Sequence, residues 1–168
     1  MPRYKLIIEY DGGPFVGWQR QDNGMSVQQA LEEAVAAFSG EAVAVKGAGR
    51  TDSGVHARGQ VAHADLDYGA RPLSGFELIK ALNAHLRELP VAIVHAEEAA
   101  ADFHARFQAV SKLYCYRIVS RSAPPAIDED TATHVRRTLD VPAMRDAASV
   151  LVGHHDFTTF RASTCQAK

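Results

Sequence analysis

Cysteine is scarce in this chain. There are two in 168 residues, Cys115 and Cys165, too few for a disulfide scaffold and compatible with a reducing cytosol. No apolar run approaches the ~20 residues that a membrane span requires. The acid-containing start, Tyr4-Lys-Leu-Ile-Ile-Glu-Tyr-Asp11, lacks the pattern of a signal peptide. Twelve Gly and seven Pro are too few for a collagenous or disordered chain. Net charge is also small, at −2. These shortages exclude a secreted mini-protein, a membrane protein and a disordered tail, and they lead to the expectation of a cytoplasmic globular protein. A hydrophobic content of 46% suffices for a core, because a chain of this length buries roughly 70% of its surface on folding.

The small net charge conceals an asymmetry. Residues 1–102 hold 9 Lys/Arg against 14 Asp/Glu, whereas residues 103–168 hold 9 against 6. Between Phe103 and Ile127 there are Arg106, Lys112, Arg117 and Arg121 and no acid at all. Such a stretch can serve a polyanion through phosphate contacts. A solvated strand face is the other reading, and charge alone does not choose.

Apolar periodicity and punctuation order the elements. Arg3–Tyr10 reads as a strand with an apolar centre, followed by a Gly/Pro-rich loop over 11–20 that carries Phe15 and Trp18. Ser26 and Gln29 form a capping-box pattern ahead of a helix over 27–38. Strands are expected over 43–48 and 59–67, joined by the Gly-rich turn 49–58. Ser74 and Glu77 open a second helix, running to about Leu86, and residues 91–97 form a fourth strand. The order β-α-β-β-α-β predicts an α+β fold, a ferredoxin-like antiparallel sheet with helices on one face, over residues 1–102. Residues 103–168 then begin a second, incomplete unit. It consists of a strand over 112–120, a Pro-containing acidic loop and a helix over 142–152, with Asp140 as its cap.

Two constellations carry candidate chemistry. In Gly47-Ala-Gly-Arg-Thr-Asp-Ser-Gly-Val-His-Ala57, glycines permit tight turning and close approach, and Arg50, Asp52 and His56 sit among them. Asp52 with a cation two residues earlier suits a nucleophile or base; an Asx-turn to the backbone near Gly54 is the alternative. The spacing does not fit a phosphate-binding loop, nor a hydrolase elbow around Ser53. Zinc ligation by His56, His63 and Asp65, or by His154, His155 and Asp156, lacks a recognised ligand spacing. The second constellation is Phe103-His-Ala-Arg-Phe-Gln-Ala109 leading into Lys112-Leu-Tyr-Cys-Tyr-Arg117. On a strand, Tyr114 and Tyr116 share one face, with Cys115 between them as a packed residue. Aromatic rings interleaved with cations suit unstacked RNA bases beside phosphates, or else a core with solvated basic partners.

Four collinear segments together resemble the TruA family of tRNA pseudouridine synthases. They are Tyr10-Asp-Gly with Gly17-Trp-Gln-Arg-Gln21; Gly49-Arg-Thr-Asp-Ser-Gly-Val-His-Ala57; Asp102-Phe-His-Ala-Arg-Phe107 with Tyr114 and Tyr116; and His155-Asp-Phe-Thr-Thr-Phe-Arg161 with Cys165-Gln166. The resemblance implies an isomerase of uridines at positions 38–40 in the tRNA anticodon stem-loop, cytoplasmic and homodimeric, with neither metal nor organic cofactor. It makes Asp52 the catalytic nucleophile. It also assigns Arg50 to flipping the target base and Tyr114 to contacting it. His56, Arg106 and Arg161 become further contacts to RNA or supports of the site. The match covers only the N-terminal part of the family pattern. The region bearing a second arginine that pairs with the catalytic aspartate has no counterpart here, so the resemblance implies a truncated form of reduced or no activity alone. A non-catalytic RNA-binding module and a dimerisation fragment are the alternatives from other classes.

Overall fold

A computed structural model describes residues 1–67, 69 and 72–160. The chain divides into two compact units, the first Met1–Cys115 and the second from Tyr116 on. The first contains β1 (Arg3–Tyr10), α1 (Val27–Ser39), β2 (Lys46–Gly47), β3 (Ala57–Asp65), α2 (Gly75–His85) and β4 (Val91–Ala99). Its four strands form one antiparallel sheet in the order β2-β3-β1-β4.

Alternation along β1 explains the layering. Tyr4, Leu6, Ile8 and Tyr10 are buried and their neighbours less so, as the period of two requires. Ala62 pairs with Leu6 and Ala64 with Tyr4, so β3 offers small residues to the same face. Val27, Ala30, Leu31, Ala34 and Val35 of α1 and Leu78 and Leu82 of α2 close the same core. The other face carries Arg3, Lys5 and His63. There Arg3 grips Asp65 with two hydrogen bonds of 2.6 and 2.7 Å, and Lys5 pairs with Glu97 at 2.7 Å.

Both helices start where the capping residues lie. Ser74 and Glu77 form the full reciprocal box. At α1 the box is only half made: Ser26 Oγ accepts from Gln29 N–H at 3.1 Å, while the Gln29 side chain donates to Glu33 instead. The strand expected over 43–48 shortens to Lys46–Gly47, because α1 captures Val45. Glu32 accepts from the Val45 N–H, and Gln28 donates to its carbonyl.

The second unit contains β5 (Ile118–Ser120), β6 (Thr133–Val135), α3 (Val141–Ser149) and a 3-10 turn at Thr158–Phe160. Asp140 caps α3, accepting from Ala143 N–H at 3.0 Å. Two expectations are corrected here. The strand over 112–120 is reduced to Ile118–Ser120, which pairs in parallel with β6; no described strand takes up the backbone over 112–117. Tyr114 and Tyr116 therefore do not share a strand face, and Cys115 is exposed. The helix over 142–152 closes at Ser149, three residues early. Among the described residues no helix is long and apolar enough to cross a membrane.

Candidate active site

The loop that joins β2 to β3 carries Arg50, Asp52 and His56, and its shape is set by a second loop, 11–20. Trp18 N–H donates to the Thr51 carbonyl at 2.9 Å, next to Asp52. The Gly17 and Trp18 carbonyls accept from Val27 N–H and Gln28 N–H at 3.1 and 2.9 Å, two donors at the start of α1 that the helix itself cannot satisfy. One short segment thus ties the Asp52 loop to the first turn of α1. Gly17 is required for this on two counts. Its φ of 109° is left-handed, and a Cβ there would stand 2.7 Å from the Thr51 carbonyl oxygen. Gly12 lies equally close on Gly54–Val55, and a Cβ there would overlap the Val55 carbonyl.

Side chains complete the clamp. Buried Tyr10 shares a 2.9 Å hydrogen bond between its hydroxyl and Thr51 Oγ1. Burial raises the Tyr10 phenol above its ordinary value, with the Thr51 and Gln60 hydrogen bonds opposing. Ser53 Oγ donates to the Phe15 carbonyl at 3.2 Å, and Gln60 donates to the Gly49 carbonyl at 2.9 Å. His56 Nδ1 accepts from Gly12 N–H at 3.2 Å and lies 2.9 Å from Asp11 Oδ1. Register shifts near Ile8 on both sides of β1 put irregular pairing at this end of the sheet, as is common beside functional sites.

The carboxylate of Asp52 is exposed and, among the described residues, accepts no hydrogen bond and forms no ion pair. The turn is closed by the backbone alone, Val55 N–H to Asp52 carbonyl at 3.2 Å. The Asx-turn expected as the alternative is not made at Asp52. It occurs at Asp11, which accepts from Gly13 N–H at 2.8 Å. A carboxylate on a backbone fixed from three sides, yet itself unengaged, is available to attack or to take a proton.

Arg50, Asp52 and His56 thus share one loop, and Arg50 is exposed and unpaired among the described residues. Lys112 reaches the same loop: a Cβ at Gly49 would be 2.9 Å from its Nζ. Tyr114 follows two residues later, about 7 Å of extended chain beyond the Lys112 backbone, and is exposed. Arg106 is elsewhere, on a turn docked against His63, where Ala105 N–H donates to His63 Nδ1 at 3.2 Å. Arg161 lies outside the described residues. Neither histidine-containing zinc candidate forms a metal-ligating group among the described residues.

Sequence reasoning missed Tyr10, Thr51, Ser53, Gln60 and Lys112 as parts of this site. Its one signal was the Tyr10-Asp-Gly and Gly17-Trp pattern ahead of the loop, which now has a reason: those residues are the clamp.

A family model described as tRNA pseudouridine synthase matches residues 6–108, a range that holds both loops. The chain is 59% identical over its whole length to "tRNA pseudouridine synthase A" of Parvibaculum lavamentivorans, covering 67% of that protein. It is 58% identical over 99% of its length to the protein of that name from Sinorhizobium medicae, again covering 67%. With the protein of that name from Methylocella silvestris the identity is 55% over the whole chain and 66% of the relative. The chain therefore spans about two thirds of such relatives. A clamp, an unengaged aspartate and this degree of likeness agree, and the chain belongs to the tRNA pseudouridine synthase family, a family of isomerases.

Proposed function

We propose that this chain isomerises uridine to pseudouridine in the anticodon stem-loop of tRNA, at positions 38–40, with Asp52 as the nucleophile. The observation that carries the reading is the unengaged Asp52 carboxylate on a loop clamped by residues 10–18. The reaction breaks the N1–C1′ glycosidic bond and forms a C1′–C5 bond; C5 loses its proton and N1 gains one. No electrons are exchanged with a second reactant, so a carboxylate that adds to C1′ or to C6 and later leaves is sufficient.

In this reading Arg50, free and beside Asp52, fills the place of the flipped base in the stem, and Tyr114 stacks on that base. His56 supports the loop, and Arg106 and Arg161 contact the RNA. The strand order β2-β3-β1-β4 with two crossover helices supports a ferredoxin-like catalytic half over residues 1–102, the remainder being part of a second such half. The reading places the protein in the cytoplasm as a homodimer needing no metal or organic cofactor.

The experiment is tritium release from tRNA bearing uridine tritiated at C5, with enzyme in excess. Release that depends on Asp52 is expected. Absence of release under these conditions, with RNA bound, contradicts a catalytic role and leaves the non-catalytic RNA-binding module.

A further inference from the structure

We infer that the turn over residues 103–108 is a base-stacking platform, on which the exposed ring of Phe107, seated on His104 and flanked by Arg106, takes one unpaired nucleobase of the RNA. The inference rests on the proposed RNA substrate, and goes beyond it by assigning a second place of contact, away from the Asp52 loop.

Phe107 is 77% exposed, yet it is held in place. Its centroid lies 4.2 Å from that of His104, at an interplanar angle of 32°. His104 in turn stands edge-on to buried His63 at 4.7 Å, and His63 meets Phe103 edge-on at 6.0 Å. A run of rings therefore leads from the sheet outward and ends in a bare aromatic face.

The backbone beneath is equally fixed. His104 Nδ1 accepts from Arg106 N–H and Phe107 N–H at 3.2 and 3.4 Å, and Gln108 N–H donates to the His104 carbonyl at 3.0 Å. Arg3, already paired with Asp65, donates to the Phe103 carbonyl at 2.8 Å and fastens the turn to β1. An exposed ring fixed in advance loses little freedom when a base stacks on it.

Charge selects the partner class. Arg106 is exposed and, among the described residues, has no hydrogen bond to its guanidinium and no ion pair. The chain from Phe103 to Ile127 holds no acid. A bare ring one residue along the chain from a free guanidinium suits a base with its adjoining phosphate, and the contact is tolerant of sequence because every base has a π-face.

The test uses the full chain and an anticodon stem-loop RNA with 2-aminopurine at single unpaired positions. Binding of the parent should quench one of these probes by stacking. Phe107→Ala should abolish that quench and weaken binding about 5- to 100-fold, with an unchanged melting temperature and an unchanged slope of log Kd against log salt. Phe107→Trp should restore both quench and affinity. Arg106→Gln should instead lower the salt slope by about one. If Phe107→Ala binds and quenches like the parent while the parent converts uridine, the platform is wrong and the proposed function stands. A Phe107-dependent quench without conversion upholds the platform and overturns the catalytic reading. If the parent binds no RNA, both fall.

Discussion

Asp52 and the residues that hold it divide the work cleanly, and substitutions should separate the two. Asp52→Asn keeps shape and removes the proposed nucleophile, so turnover should fall by about three orders of magnitude or more, with the Kd for tRNA within about twofold of the parent in filter binding. Tyr10→Phe deletes only the hydroxyl that meets Thr51. It should cost about 1 kcal/mol of stability and lower kcat more than it alters KM, because the loop is loosened and no substrate contact is lost. Gly17→Ala forces a Cβ into left-handed backbone and against the Thr51 carbonyl. That should cost about 1–3 kcal/mol, seen as a drop of several degrees in Tm, and should lower activity in the same variant. A Gly17→Ala protein with unchanged Tm and turnover would deny that the clamp sets the loop.

At the scale of elements, β3 joins the core to the site, and its buried histidine makes it sensitive to pH. His63 is held below the ordinary histidine value, chiefly by burial and then by His104, Arg3 and Lys46. The unfolded chain therefore takes up this proton first. As pH falls through the ordinary value of about 6.5 the native state loses stability, and the loss ends below the folded value. Thermal melts between pH 8 and 5 should show this decline, and His63→Asn, which keeps an acceptor for Ala105 N–H, should flatten it. Asp65 acts at lower pH: its hydrogen bond with Arg3 holds it below the usual carboxylate range, so its contribution is lost only in stronger acid.

Elements are also where legibility in the sequence varies. Helices α1 and α2 and strands β1, β3 and β4 were readable because capping residues and the period of two or 3.6 act locally. The place of β2 was readable but its length was not, since Glu32 and Gln28 of α1 compete for the Val45 backbone, and no local pattern announces such capture. The strand over 112–120 failed for a related reason: β-propensity favours a ladder but does not supply a partner strand. In the candidate site, the motif already put Arg50, Asp52 and His56 on one loop between two strands, where the structure has them. The contacts of Tyr10 with Thr51 and of Gly17 with the Asp52 loop were not legible, since they join positions 41 and 34 or more residues apart.

For the molecule as a whole, charge distribution and length matter most. The acidic first part carries the Asp52 loop and the more basic remainder suits phosphate contacts, and tRNA affinity should fall steeply as salt is raised. In the proposed function, the clamped Asp52 loop performs uridine isomerisation. Its most direct test is tritium release from C5-labelled tRNA with excess enzyme, parent against Asp52→Asn. Release by the parent and none by the variant is the result expected if Asp52 is the nucleophile. Release at the same rate from both would contradict it.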